Sequence, residues 1–187
     1  MWEGGPRASR RWVLLGLTSL AALCLRPAPA AGQAAYSEEA VKAALLEKVV
    51  SFLEWSRPPA PQQPFNLTVL GSDALAGELE RLFAERPFAG RRLTVKRVSK
   101  PNQTTDADIV VVGREQAREL PAVLKACTRE GVLVVGDGPG FAEAGAAIDF
   151  FREGSRLRFA VRPSALKQAR IKASYKLLGI ARIVGEP

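Results

Sequence analysis

Histidine is absent from the 187 residues of this sequence, and cysteine and methionine are scarce, with two and one respectively. Histidine is the commonest general acid–base and the usual zinc or copper ligand. Its absence excludes Ser-His and Cys-His catalytic pairs. Cys24 lies in the first 30 residues, so a chain that loses them keeps only Cys127 and forms no internal disulfide. Cys127 ends an apolar helical stretch, which favours a packing role, and a thiol that pairs two chains is the alternative.

The first 30 residues have the features of a cleaved secretory signal peptide. Arg7, Arg10 and Arg11 form a basic front, residues 12–25 are an apolar run, and residues 28–30 (Ala-Pro-Ala) have the small-x-small pattern that signal peptidase accepts. As a helix the apolar run is about 21 Å long, shorter than the ~30 Å core of a bilayer. No other apolar run approaches a spanning length. We therefore predict export, with no stable membrane insertion.

The formal net charge of +8 belongs in part to this leader. Because the leader holds four arginines and Glu3, its removal leaves a charge of +5 on residues 31–187. A basic chain of this kind favours a membrane surface or an acidic partner. Its arginines, such as Arg86, Arg91 and Arg92, are scattered and lack interleaved aromatic residues, so we predict no nucleic-acid partner.

Helix and strand patterns alternate along the first half of the mature chain. Residues 36–56 have apolar side chains at helical spacing, and Ser37 is placed to cap that helix. Residues 65–70 alternate as a strand does. Asp73 is placed to cap a helix over residues 74–85.

Two later strands are apolar throughout. Residues 109–112 and 132–135 contain only isoleucine, valine and leucine, which is typical of strands covered on both faces. The other predicted elements are a strand at 93–98, a helix at 114–127, hairpin strands at 146–152 and 156–161 at the sheet edge, and a closing helix at 164–178. This order predicts a single α/β domain over residues 31–187, a three-layer α/β/α Rossmann-like sandwich with a mixed sheet and a C-terminal antiparallel hairpin.

A glycine-rich loop follows the second apolar strand. Gly136, Asp137, Gly138 and Gly140 lie in a G-x-G-x-G pattern rather than G-x-G-x-x-G, and no phosphate-contacting lysine follows as in a P-loop. Two interpretations remain open. Either the loop amides hold a small anion, or the glycines permit positive φ angles and a close backbone approach. We expect the second.

Two further patterns have a catalytic or metal-binding interpretation. Ser164 and Lys167 match the Ser-x-x-Lys pattern of penicillin-recognising enzymes, but the companion motifs are absent, so Ser164 is expected to cap a helix. Asp106, Asp108 and Asp137 are predicted near the ends of adjacent strands, without the clustering that a metal site needs. We predict no catalytic residue, no metal ligand and no cofactor.

Three stretches of the second half resemble the YfiR family of bacterial periplasmic proteins. They are residues 135–145 (VGDGPGFAEAG), 148–161 (IDFFREGSRLRFAV) and 169–184 (ARIKASYKLLGIARIV). The first half is also similar to that family, with a signal peptide, a helix that ends in an aromatic-Glu-Trp element at 52–55, and a strand at 65–71. The order and spacing of these motifs, more than any single motif, make the resemblance, which covers nearly the whole mature chain.

The resemblance implies a regulator rather than an enzyme. YfiR-like proteins bind the periplasmic sensory domain of an inner-membrane diguanylate cyclase of the YfiN type and repress its GGDEF domain, which lowers cyclic di-GMP and restrains biofilm formation. It also implies a periplasmic location and a homodimer. The family's disulfides do not carry over, because residues 107–108 and 148–151 stand where the family has cysteines. The expected partner is a membrane-bound GGDEF-type cyclase or a sensor kinase, and a periplasmic sensor of nucleotides or amino acids that uses the glycine loop is the alternative.

Consecutive phenylalanines suggest where a partner binds. Phe150 and Phe151 are neighbours in a predicted strand, so one of them faces away from the core. Outward aromatic side chains are strong interface anchors. We predict a partner surface made of Phe150, Phe151, Phe159, Leu166 and Ile171. Coverage of these residues by the chain's own last helix is the alternative.

Overall fold

A mixed β-sheet lies at the centre of residues 36–56, 60 and 63–185, the part of the chain that the computed structural model describes. The strands of this part are β1 Leu53–Trp55, β2 Phe65–Leu70, β3 Leu93–Val98, β4 Ile109–Gly113, β5 Leu133–Asp137, β6 Ile148–Glu153, β7 Arg156–Val161, β8 Ile171–Ala173 and β9 Arg182–Ile183. The sheet order is β3-β2-β4-β5-β6-β7-β9, and β1 and β8 form a separate two-stranded ribbon. The predicted signal peptide lies outside the described residues.

Helices cover both faces of this sheet. The α-helices of the described part are α1 Glu38–Val50, α2 Asp73–Phe83, α3 Leu120–Ala126, α4 Pro163–Gln168 and α5 Tyr175–Leu178, with 3₁₀ helices at Pro101–Gln103 and Arg114–Glu119. Neighbouring strands in the part of the sheet ordered β3-β2-β4-β5-β6 run parallel. Strands β6 and β7 are antiparallel, and β9 is parallel to β7. The predicted fold class, with its mixed sheet and C-terminal hairpin, is confirmed. The hairpin is not the sheet edge, because β9 lies outside it.

Alternate residues of the central strands enter two different cores. Ile109 and Val111 pack in a first core cluster together with residues of α1, α2, α4 and α5. Val110 and Val112 pack in a second core cluster together with Leu120 and Val123 of α3. A strand with a core on each face has no polar position, which explains the fully apolar sequence of β4.

The first predicted helix is correct at its start and too long at its end. Ser37 is the N-cap, and its Oγ accepts a hydrogen bond from the N–H of Ala40 at 3.0 Å. The helix stops at Val50, and Leu53–Trp55 form β1 instead. The N-cap position of α2 is Ser72 rather than Asp73, which is the first helical residue.

The closing helix predicted for residues 164–178 is wrong. The chain forms α4 and α5 with β8 between them, and Arg170 adopts a φ of +55°, which a continuing α-helix does not allow. Residues of β8 pair antiparallel with β1, in the register Leu53↔Ala173. The backbone of residues 171–173 thus bonds to β1 instead of continuing a helix. The apolar residues at helical spacing in 164–178 therefore belong to three separate elements.

Candidate functional site

Loops that follow the parallel strands meet at the carboxyl edge of the sheet, where open α/β sheets commonly bind ligands. The chain order reverses between β2 and β4, and the loops after these two strands are in backbone contact. A Cβ at Gly113 would overlap the carbonyl oxygen of Gly71. The backbones of the two loops therefore touch at Gly71 and Gly113.

Packing explains the predicted ligand loop of Gly136, Asp137, Gly138 and Gly140. Phe141 folds back over Gly136, and a Cβ at Gly136 would overlap the Cβ and Cγ atoms of Phe141. Phe141 is buried in the second core cluster. Gly140 has a φ of +89°, which glycine adopts at low cost. The space beside Gly136 thus holds a phenylalanine of the same chain, which is the close approach that the second interpretation expects of this glycine.

Replacing Gly136 by alanine is expected to lower the free energy of unfolding by about 1–3 kcal/mol, because the new methyl group pushes Phe141 out of its place in the second core cluster. Gly138→Ala is the matched control, since its nearest neighbour would be the flexible side chain of Arg114, with Nε at 3.1 Å. Denaturant titration of the two variants measures the difference. Equal losses for both variants would contradict this account of the loop.

A buried ion pair connects the end of β5 to α1. Lys42 is 5% exposed, and its Nζ lies 2.7 Å from Oδ1 of Asp137 and 3.1 Å from Oε1 of Glu38. Glu38 also accepts a hydrogen bond from Nη1 of Arg152 at 2.8 Å. Ser72 donates its hydroxyl to Oδ2 of Asp137 at 3.4 Å. These five residues form the Lys42 network, which joins α1, the start of α2, and the ends of β5 and β6.

The charges of this network are satisfied by one another. Burial alone would lower the pKa of Lys42, but hydrogen bonds to Asp137 and Glu38 outweigh burial and raise it. The bonds from Lys42 and Arg152 lower the pKa of Glu38. Lys42 is therefore a charged partner at neutral pH and not a free nucleophile or base. The Glu38 to Lys42 spacing of four residues is the sequence signal that could have indicated the pair.

A second buried carboxyl group lies beneath the glycine loop. Asp149 is fully buried, and its Oδ2 accepts a hydrogen bond from the backbone N–H of Ala142 at 3.0 Å. Its Oδ1 has no hydrogen-bond partner among the described residues. Burial raises the pKa of Asp149, and Glu143 adds to this effect. The hydrogen bond to Ala142 joins the residues that follow the glycine loop to β6.

The weak catalytic and metal-binding patterns do not assemble into sites. Ser164 is the second residue of α4, so its predicted role as the N-cap is wrong, and its Oγ accepts from Nε of Arg162 at 3.2 Å. Asp108 precedes β4, whereas Asp137 ends β5, so the parallel strands place them at opposite edges of the sheet. Within the described part of the chain, no group of three or more acidic or cysteine side chains is arranged to hold a metal ion.

A cavity of about 430 Å³ lies between α3 and α4, away from the glycine loop. Cys127, Arg162, Ser164 and Gln168 contribute polar groups to its lining. Cys127 is half-buried, with its Sγ 3.4 Å from Oγ1 of Thr104, and burial raises the pKa of its thiol. This placement agrees with a packing role.

Four of the five residues predicted to form the partner surface belong to the core. Phe150, Phe159, Leu166 and Ile171 are at most 6% exposed and all lie in the first core cluster. These four residues therefore do not form a contact surface. They are covered by α4, β8 and α5, whereas the alternative interpretation expected a single last helix to cover them. Phe151 alone remains partly exposed.

Phe151 lies on the other face of the hairpin, among charged side chains. The guanidinium carbon of Arg182 is 4.1 Å from the centroid of its ring, and Arg158 is its cross-strand partner. Nη2 of Arg182 donates to Oε1 of Glu143 at 3.1 Å. The second core cluster contains no residue of β6 or β7 within the described chain. We call Phe151, Arg158, Arg182 and Glu143 the Phe151 face. The sequence pattern missed its arginines because they are distant from Phe151 along the chain or one strand away.

Solved structures show that this fold occurs elsewhere. A conserved domain protein from Vibrio cholerae superposes with a TM-score of 0.55 at 12% identity, over 80% of this chain and 60% of that one. An ABC domain in complex with L-Trp from Streptococcus pneumoniae gives a TM-score of 0.52 at 10% identity, over 78% of this chain and 62% of that one. The chain thus spans about three fifths of each protein, and at these identities the likeness concerns the fold alone.

Sequence comparisons identify the family. A search of curated proteins gives no match. Among the described residues, no helix has the length and apolar character needed to cross a membrane. The YfiR/HmsC-like family profile matches residues 39–182, which run from α1 to the first residue of β9. This family consists of periplasmic regulators of diguanylate cyclase signalling. The match spans the sheet, both cores and the Phe151 face, and the chain belongs to the YfiR/HmsC-like family.

Proposed function

We propose that this protein is exported to the periplasm, binds the periplasmic sensory domain of an inner-membrane diguanylate cyclase and represses that enzyme, which lowers cyclic di-GMP and restrains biofilm formation. Membership of the YfiR/HmsC-like family is the observation that supports this function most strongly. A regulator of this kind acts by binding one of two receptor states, and a difference of a few kcal/mol between their affinities switches the output. No catalytic group is required of it.

We further propose that the Phe151 face contacts the receptor. It combines a phenylalanine ring with two arginines, and aromatic residues and arginine are enriched in protein–protein interfaces. The side chain of Arg158 is 48% exposed and that of Arg182 is 45% exposed, so both reach solvent beside the ring. A partner that covers this face would remove the ring and the guanidinium groups from water together.

Deletion of the gene in its host tests the function, with cyclic di-GMP measured by mass spectrometry and biofilm by staining. We expect deletion to raise both, and the wild-type gene to restore them. Phe151→Ala and Arg158→Glu should fail to restore them, because loss of an anchor costs ~2 kcal/mol or more of binding, about 30-fold in affinity.

Arg97→Glu is the matched control, because Arg97 is a similarly exposed arginine on the opposite edge strand, β3. It should restore repression fully. Each variant is checked in the periplasmic fraction for amount and thermal stability. Unchanged cyclic di-GMP after deletion would contradict the proposed function, whereas full repression by Phe151→Ala and Arg158→Glu would contradict only the proposed contact face.

A further inference from the structure

Positive charge is concentrated at the end of the chain. Residues 150–187 contain nine arginines and lysines and two acidic residues, a net charge of +7. Residues 36–149 contain 14 basic and 16 acidic residues, a net charge of −2. Arg152, Arg170 and Arg182 of this segment pair with Glu38, Glu130 and Glu143. Lys172 and Lys176 form no salt bridge within the described part of the chain, so their charges are available to an anionic surface.

Exposed apolar side chains lie in the same part of the chain. Tyr175 is 94% exposed, Ile180 is 64% exposed and Ile183 is 43% exposed. They are three of the five large apolar residues that are exposed in the described part. Lys172 and Lys176 are exposed among them. We call these five residues the basic C-terminal patch.

The fold places this patch on one side of the sheet. Leu177 of α5 is buried in the first core cluster, so Tyr175 and Lys176 of the same short helix point away from that core. Ile183 pairs with Val161, another residue of the first core cluster, and therefore belongs to the same face. The Phe151 face is on the other side of the sheet, so the two surfaces can be occupied at the same time.

We propose that the basic C-terminal patch adsorbs the protein to the headgroup region of a bilayer that contains anionic phospholipids. Each lysine near such a surface contributes about 1 kcal/mol of attraction. Tyrosine favours the boundary between water and lipid, and isoleucine side chains gain from entering the acyl region. Lysine is depleted in protein–protein interfaces, so two lysines beside an exposed tyrosine favour lipid over a protein partner. This adsorption does not depend on the identity of the receptor.

Vesicle co-sedimentation of the protein purified from the periplasm tests the proposal. Vesicles of pure phosphatidylcholine are compared with vesicles in which about one third of the lipid is phosphatidylglycerol. We expect sedimentation only with the anionic vesicles, and release as the salt concentration rises. The double variant Lys172→Glu/Lys176→Glu should bind at least about 30-fold more weakly. The double variant Tyr175→Ser/Ile180→Ser should bind at least about 10-fold more weakly.

Each pair of substitutions has a matched control elsewhere on the surface. Lys96→Glu/Lys100→Glu changes the net charge equally, and Tyr36→Ser/Val41→Ser removes exposed apolar groups from another region. Both controls should keep nearly wild-type binding. Equal losses in patch and control variants would overturn the proposal, because binding would then follow total charge or apolar content. Failure of the wild-type protein to bind anionic vesicles would also overturn it, and would leave an acidic protein as the partner of the patch.

Discussion

Replacing Lys42 by methionine is expected to lower the free energy of unfolding by about 3–5 kcal/mol. The substitution leaves the buried carboxylate of Asp137 without the ammonium group that lies 2.7 Å away. Ser72 remains as a hydrogen-bond donor, but a neutral hydroxyl does not balance a buried charge. For a domain of this size the melting temperature should fall by about 10 °C, which calorimetry or circular dichroism measures.

Glu80→Gln provides the control for this prediction. Glu80 and Arg97 form an ion pair whose side chains are both 46% exposed, and surface pairs contribute about 0–1 kcal/mol. The double variant Lys42→Met/Asp137→Leu should recover most of the lost stability, because it removes both buried charges together. A loss as small for Lys42→Met as for Glu80→Gln would show that the Lys42 network does not hold α1 to the sheet.

The Lys42 network also predicts how the stability difference between the wild type and Lys42→Met depends on pH. Glu38 has a lowered pKa in the folded state, so its contribution to stability is present above its unfolded pKa and is lost as the pH falls through the folded value. A neutral Glu38 no longer pairs with Lys42. The stability difference between the wild type and Lys42→Met should therefore narrow in acid. Lys42 has a raised pKa, so its own contribution is lost only at strongly alkaline pH.

The adjacent phenylalanines of β6 should respond very differently to alanine. Phe150 is 1% exposed within the first core cluster, so Phe150→Ala is expected to lower the free energy of unfolding by about 3–5 kcal/mol through the cavity that it leaves. Phe151 is half-buried, and its ring lies against the guanidinium group of Arg182. Its replacement should cost about 1 kcal/mol. Denaturant titration of both variants measures the contrast.

This contrast separates stability from binding. Phe151→Ala should lose repression while it stays folded at 37 °C, whereas Phe150→Ala should lose repression only as far as the folded fraction falls. Phe150→Leu, which keeps an apolar side chain in the core, should restore part of the stability. Similar stabilities for the two alanine variants would contradict the assignment of these side chains to opposite faces of the hairpin.

Most strands could be predicted from sequence because their patterns are strong and local. The apolar stretches at β4 and β5 and the alternation at β2 require a sheet with two covered faces, and the order of helices between them indicates the layers. The end of α1 and the ribbon of β1 and β8 could not be predicted. Residues 53–55 and 171–173 become strands only because they pair with each other. The local sequence of either segment does not indicate a partner so distant along the chain.

The candidate contact face could be predicted only in part. The consecutive phenylalanines correctly imply that one side chain leaves the core, but they do not say which one. That choice depends on the side of the sheet that α4 and α5 cover. The glycine loop was easier to interpret, because its spacing lacks the elements of a nucleotide site and packing against Phe141 supplies a sufficient reason for Gly136.

The β1–β8 ribbon has a consequence for how the protein acquires its structure. It joins Leu53 to Ala173, so nearly the whole domain is enclosed in one loop that must close before these strands pair. Closing a loop of this length costs conformational entropy, and the contacts between β1 and β8 stabilise the fold only after the loop has closed. Their pairing is therefore slow. We therefore expect β1 to be fixed to the rest of the domain late in folding, after residues 171–173 have been synthesised. A chain truncated before residue 171 would lack β8, the strand that pairs with β1 near the start of the domain.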